Sequence, residues 1–237
     1  MSGCTNQRCE RVVFRVAEAF NANIELTILP RTVTIGLLNE YNESIFTVSK
    51  PIPAMGFDFN RIYLLCKLSW EVRDDHISLD EMWQKYNKIL TIKRHNNWKV
   101  TLLTAAANMS FCRLFEGDPA AMAIVFFVTL IGFWLKNFLH TYRKWDIRFC
   151  IMTASFVSAF LACILADRYD LSMTSDTAIA TSVLYLVPGV PYINCISDMI
   201  HGHMLCSLSR VMHAVVTTTC LGIGLCIAIL LSGADFF

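Results

Sequence analysis

Residues 120–138 read AAMAIVFFVTLIGFWLKNF, and Lys136 is the only charged side chain in the run. A helix needs about 20 mainly apolar residues to cross the hydrocarbon core of a bilayer, and this stretch meets that length. Two more do so unaided: 147–166 (IRFCIMTASFVSAFLACILA) and 211–231 (VMHAVVTTTCLGIGLCIAILL). Residues 100–115 and 177–190 are apolar but short, and would cross with tilt or local thinning of the bilayer. The chain as a whole is 55% hydrophobic and 16% charged, with a mean hydropathy of +0.47. Soluble domains are roughly 45–50% apolar and about 25% charged. The sequence therefore predicts an α-helical multi-pass membrane protein with five transmembrane helices, the lipid bilayer being its first partner.

Loop charges give an orientation. Lys93, Arg94 and Lys99 precede the first apolar segment. Lys136, Arg143, Lys144 and Arg148 lie around the loop between the second and third, and Arg210 precedes the fifth. The alternate loops, 116–118 and 167–170, are net negative. Basic flanks favour the cytoplasm, so five spans leave the N-terminus cytoplasmic and the C-terminus outside. Trp98, Trp134, Tyr142, Trp145 and Tyr169 fall near the borders, as interfacial anchors do. Residues 1–20 carry Arg8, Glu10, Arg11, Arg15 and Glu18 with no apolar core, so they do not read as a secretory signal.

The composition changes near residue 95, dividing the chain into 1–95, an N-terminal α+β cytoplasmic domain, and 96–237, the five-helix transmembrane domain. Residues 9–20 place Val12, Val13, Val16, Ala17 and Phe20 at helical spacing. Residues 24–29, 32–38 and 44–49 read as strands separated by polar turns, and Lys50-Pro51-Ile52-Pro53 interrupts the pattern. Residues 58–73 carry a stripe of Phe59, Ile62, Leu65 and Cys66, and Ser78-Leu79-Asp80-Glu81 forms a capping box into a helix over 79–91.

The stretch richest in functional signals is 185–210, YLVPGVPYINCISDMIHGHMLCSLSR. Pro188, Gly189 and Pro191 end a helix that has crossed apolar ground, and a broken helix is tolerated in a membrane only where its freed carbonyls meet protein, water or ligand. Transporters place substrate at such breaks. Asn194 and Asp198, four residues apart, share a helical face that Gly202 extends. A carboxylate at membrane depth is a functional candidate by default; a role toward substrate or protons and a structural role at a helix turn both stay open for Asp198. Arg210 reads as a border anchor or an ion-pair partner. Pro188, Gly189, Pro191, Asn194, Asp198, Gly202 and Arg210 thus form the candidate pathway. Hydroxyls at 175–182 and 217–219 read as glue between packed helices.

Other chemistries lack their signatures. The ten cysteines contain no C-x-x-C pair and read as reduced thiols, and the His201-Gly202-His203 pair is too sparse for a metal. A net charge of +1 and the lack of a basic patch interleaved with aromatics in residues 1–95 argue against nucleic acid. With no Walker loop, nucleophile elbow or dinucleotide fingerprint, neither an enzyme nor an ATP-driven pump is expected, and no cofactor is implied.

The LVPGVPYINCISDMIHG run at 186–202, followed by Arg210, resembles the "LVPG…N…D…G…R" signature of the threonine/serine exporter family. Ser2-Gly3-Cys4-Thr5-Asn6-Gln7-Arg8 with Arg15-Val-Ala-Glu-Ala-Phe20 resembles that family's opening, with Cys4 where alanine is usual. The resemblance covers almost the whole chain. It implies a secondary-transport subunit in the bacterial inner membrane that exports threonine and serine, or a dicarboxylate such as succinate. It also implies a small, separately encoded five-helix membrane subunit as partner, because long family members fuse such a half to this one. Homo-oligomerisation stays open. The competing reading is a membrane-anchored regulatory or ligand-binding protein in which residues 1–95 act and the helices only hold them.

Overall fold

The computed structural model describes residues 3–52, 56–92, 96–168 and 172–233. Expectations that fall on Ser2, Pro53, Lys93, Arg94, His95, Tyr169 and Asp170, and on the side chains of Asp167 and Arg168, lie outside the described residues. In chain order the elements are α1 (Asn6–Ala19), β1 (Asn23–Leu29), β2 (Thr32–Leu38), β3 (Ser44–Pro51), α2 (Phe59–Asp74), α3 (Leu79–Thr91), α4 (Asn97–Leu114), α5 (Pro119–Tyr142), α6 (Ile147–Cys163, continued by a π-helical turn Ile164–Arg168), α7 (Ser175–Ser182, followed by a 3-10 turn Leu184–Leu186), α8 (Gly189–Ile200) and α9 (Met204–Ser232). They form two compact units, one of Met1–Arg94 with Val190–Met212 and one of His95–Gly189 with His213–Phe237.

The first unit follows its local sequence closely. Thr5 caps α1 by accepting from the Arg8 amide, Asp58 caps α2 through the Arg61 amide, and Ser78 caps α3 through the Glu81 amide. Each cap satisfies a donor that the first turn of a helix leaves orphaned. The three strands make an antiparallel meander in the order β1-β2-β3. Its second turn is held by the Asn39 side chain, whose Oδ1 accepts from the backbone amides of Tyr41 and Glu43. The core is Leu68, Val72 and Ile89, packed against Val16, Leu64, Met82 and Tyr86.

Two expected stripes hold in part, with Val16 of α1 and Leu65 of α2 packed on this core, and are otherwise corrected. On α2, Ile62 is buried, but the inward face continues through Leu68, Ser69 and Val72 while Phe59 is exposed. On α1, Phe20 is exposed, and the fully buried side chain is Asn6, in the first turn. Periodicity finds the apolar stripe but not which flank of it meets a neighbour.

Among the described residues, three helices are long and apolar enough to cross a membrane. They are Pro119–Tyr142, Ile147–Ala166 and Met204–Ser232, with mean hydropathies of 1.9, 2.3 and 2.4. A bent pair, Ser175–Leu186 with Gly189–Ile200, makes a fourth if counted as one broken span. Among the described residues, length and composition thus support three or four spans of the five expected. The first expected span does form a helix, α4, of 18 residues. Asn97, Lys99, Asn108 and Arg113 keep it too polar to join the others by composition.

Packing in the second unit relies on small and hydroxylated residues, as in membrane bundles. The Asn108 amide donates to Thr129 Oγ1 at 2.7 Å and to the Thr181 carbonyl at 3.0 Å, tying α4, α5 and α7. Ser155 Oγ donates to the Leu221 carbonyl at 2.8 Å, linking α6 to α9. Thr217 and Thr219, expected as glue, instead donate to carbonyls one turn back in their own helix.

Asp118 caps α5 by accepting from the Ala121 amide, and it also accepts from Ser172 Oγ at 2.6 Å and Thr174 Oγ1 at 2.7 Å. The Ser172 and Thr174 hydroxyls, and then the helix amide, hold its carboxyl down at about 2. A carboxyl whose folded value lies below its unfolded value of about 3.9 stabilises the fold fully above that value and ceases to as the pH falls through the folded one. Thermal melts in detergent from pH 6 downward should therefore show an acid loss, centred between about pH 4 and pH 2, that is smaller in Asp118→Asn. Equal acid sensitivity of the two proteins would contradict this assignment.

Candidate functional site

The predicted pathway residues separate into a helix break and a buried polar cluster. At the break, the 3-10 turn ends before Val187-Pro188, and α8 starts at Gly189, whose amide donates to the Val187 carbonyl at 2.9 Å. Pro191 does not end a helix, contrary to expectation. It lies in the first turn of α8, where its missing N–H would have no intrahelical acceptor anyway. Gly202 does not extend the Asn194–Asp198 row. It sits past the end of α8 at φ +85°, in the turn to α9, and a side chain there would meet nothing within 4 Å.

Asn194, Asp198 and Arg210 come together, and the first residues of the chain complete the arrangement. Asp198 is wholly buried and Arg210 is 5% exposed. Arg210 Nε lies 3.0 Å from Asp198 Oδ2. Neither atom has a well-aligned hydrogen-bond partner, so the contact is a close ionic one whose N–H is not aimed along the line. Other groups supply the directional bonds. Asp198 Oδ1 accepts from the Asn6 backbone amide at 2.9 Å. Arg210 Nη2 donates to the Cys4 carbonyl at 3.1 Å and to Asn6 Oδ1 at 3.2 Å. Asn194 Nδ2 donates to the Gly3 carbonyl at 2.8 Å.

The Asp198 carboxylate therefore sits at the N-terminus of α1. It satisfies an orphan amide there and meets the positive end of the helix dipole. Arg210 neutralises it, as a carboxylate out of water requires. Gly3 has φ +80°, and a side chain there would run into the Phe57 ring. That restriction fixes how the chain enters α1, and so where the amide that Asp198 accepts is placed.

Around this cluster, Cys195 and Ser207 bind α8 to α9, with Ser207 Oγ donating to the Cys195 carbonyl at 3.0 Å. His203 Nε2 lies 3.3 Å from Glu10 Oε2. No sequence pattern gives Asn6, Glu10 or His203 a role. For Asn6 the one available signal was its place in the opening motif, immediately after a helix-capping threonine.

A second feature shares the wall formed by residues 3–5. A cavity of about 490 Å³ is lined by the backbone there, by Asn194, and by Arg8, Arg11 and Arg15 of α1. Cys4 borders it. Its thiol is lowered to about 7, first by a hydrogen bond from Cys9 and further by the Arg210 guanidinium, against the opposing effect of burial.

Both stretches that form the cluster belong to the motifs that carry the family resemblance, and comparison with known families bears this out. The family described as "Putative threonine/serine exporter" matches residues 1–232. This chain belongs to the threonine/serine exporter family. Among curated proteins it is similar to a protein of Klebsiella aerogenes named "Probable succinate transporter subunit YjjP", 30% identical over 63% of this chain and 58% of that one. It is also similar to the Escherichia coli K12 protein of the same name, 31% identical over 57% of this chain and 54% of that one. The matched region thus spans a little over half the length of these relatives. No solved structure matches the chain. Family membership and the apolar helices identify a membrane protein.

Proposed function

We propose that this chain is the larger subunit of a secondary exporter that carries small polar metabolites out across the bacterial inner membrane. The substrates are threonine and serine or a dicarboxylate such as succinate. A small, separately encoded five-helix membrane subunit completes the path. The topology that goes with this reading has the N-terminus cytoplasmic, five crossings with α4 and the bent α7–α8 pair as the marginal ones, and the C-terminus outside.

The observation that carries the reading is the Asp198–Arg210 pair. It joins the two motif stretches of an exporter family in one buried cluster at the end of a broken helix. A buried ion pair is weak evidence of stabilisation for its own sake, since well-packed apolar residues often do as well. Retaining a carboxylate there fits a group that exchanges partners during transport, with Arg210 released when substrate or a proton reaches Asp198. The hydrogen bonds from Asn6 and Asn194 make the cluster a joint between the first helix and the broken one, where such an exchange would be felt.

The test is an efflux assay. Cells lacking the gene, fed a threonine-containing dipeptide or grown to produce succinate, should accumulate the metabolite. The wild-type chain expressed with its small partner should restore release, and Asp198→Asn, if present in the membrane at wild-type level, should not. Equal efflux with and without the gene for all three metabolites would overturn the exporter reading and leave the membrane-anchored binding protein.

A further inference from the structure

The 490 Å³ cavity beside residues 3–5 is not used by the ion-pair cluster, and its lining is chemically one-sided. Arg8, Arg11 and Arg15 fall at positions i, i+3 and i+7 of α1, so they line one face over two helical turns, about 10 Å along the axis. Among the described residues neither Arg8 nor Arg11 has a carboxylate within ion-pair distance, and the cavity is lined by no Asp or Glu.

Arg15 is fixed in place. Its Nη1 donates to Ser69 Oγ at 2.7 Å, and its guanidinium stacks 3.7 Å from the centre of the Trp70 ring. Ser69 is itself buried and donates to the Cys66 carbonyl. Val12, Ile62 and Phe59 supply an apolar stretch of wall, Gln7 lies beside the arginines, and Asn194 adds an amide at the end near Gly3.

We infer that this cavity binds a small dicarboxylate, its two carboxylates held by the arginine row and its carbon chain lying on the apolar wall. Planar guanidinium forks match carboxylates bidentately. Arginines spread over two turns suit two separated anionic ends better than one compact phosphate, which would also leave the apolar wall unused. A zwitterionic amino acid would bring an ammonium group into a cavity whose described lining offers it no counter-charge. Gly3, Cys4 and Thr5 form the cavity wall, and the same segment supplies the carbonyls that Arg210 and Asn194 hold. An occupant would therefore act on the ion-pair cluster through residues 3–6. This inference rests on the exporter reading for its physiological meaning, and it narrows the substrate class to the dicarboxylate.

The experiment is a titration of the purified full-length chain in detergent, read by calorimetry and by thermal shift, with succinate, threonine, acetate and inorganic phosphate as separate probes. Succinate should bind saturably and raise the melting temperature, and the other three should do neither at equal concentration. Arg8→Gln with Arg11→Gln, both exposed positions, should keep the ligand-free melting temperature and weaken succinate binding by about tenfold or more, the scale of losing a charged hydrogen bond. Absence of saturable succinate binding, equal binding of phosphate or threonine, or full affinity in the double variant would each overturn the assignment. The outcome is separable from the exporter reading, because binding is measured without transport. Efflux with no binding here sinks this site alone, whereas binding with no efflux sinks the exporter reading alone.

Discussion

Asp198→Asn should be the most destabilising single substitution in the first unit, costing about 3–5 kcal/mol, the range seen when one partner of a buried ion pair is removed. Asparagine keeps an oxygen able to accept from the Asn6 amide, so the loss isolates the charge. Arg210, 5% exposed, would be left as a cation without a counter-charge, facing carbonyls that cannot neutralise it. The expected result is a clear drop in the melting temperature of the detergent-solubilised protein. Asp198→Asn combined with Arg210→Met should recover much of it, because an apolar side chain of similar length no longer needs a partner. A single variant that melts with wild type would show that water reaches the pair. A double variant that is worse than the single would show that the directional bonds to Cys4 and Asn6 matter more than the charge.

The second large effect is expected at Gly224 in α9. A Cβ built there would strike the Met152 carbonyl oxygen and come within 3.0 Å of the Phe156 amide nitrogen, both backbone atoms of α6. Side chains can rotate away from an intruder, but the backbone of a packed helix can yield only by moving the helix. Gly224→Val should therefore cost at the upper end of the roughly 1–3 kcal/mol typical of overpacking, and it should disturb the neighbouring Ser155–Leu221 bond. The control is Gly222→Val in the same helix, where an added Cβ meets nothing within 4 Å. Comparing the two melts separates loss of close approach from the general effect of a branched residue in a membrane helix. Equal behaviour of the two variants would contradict the α6–α9 contact.

The sequence by itself determined the oily character of residues 120–138, 147–166 and 211–231, and all three are helices. It also determined the three strands, and the Ser78 cap, because caps, β-branched runs and apolar stretches act within a few residues of themselves. It brought Asn194 and Asp198 onto one face for the same reason: four residues are about one helical turn. Only the tertiary structure decided that Asp198 meets the Asn6 amide, 192 positions away, that Arg210 is its partner rather than a border anchor, and that Pro191 begins a helix instead of ending one. Local periodicity carries no record of which distant segment will supply a counter-charge. That choice is made when whole elements pack and each buried polar group must find a partner or be left without one.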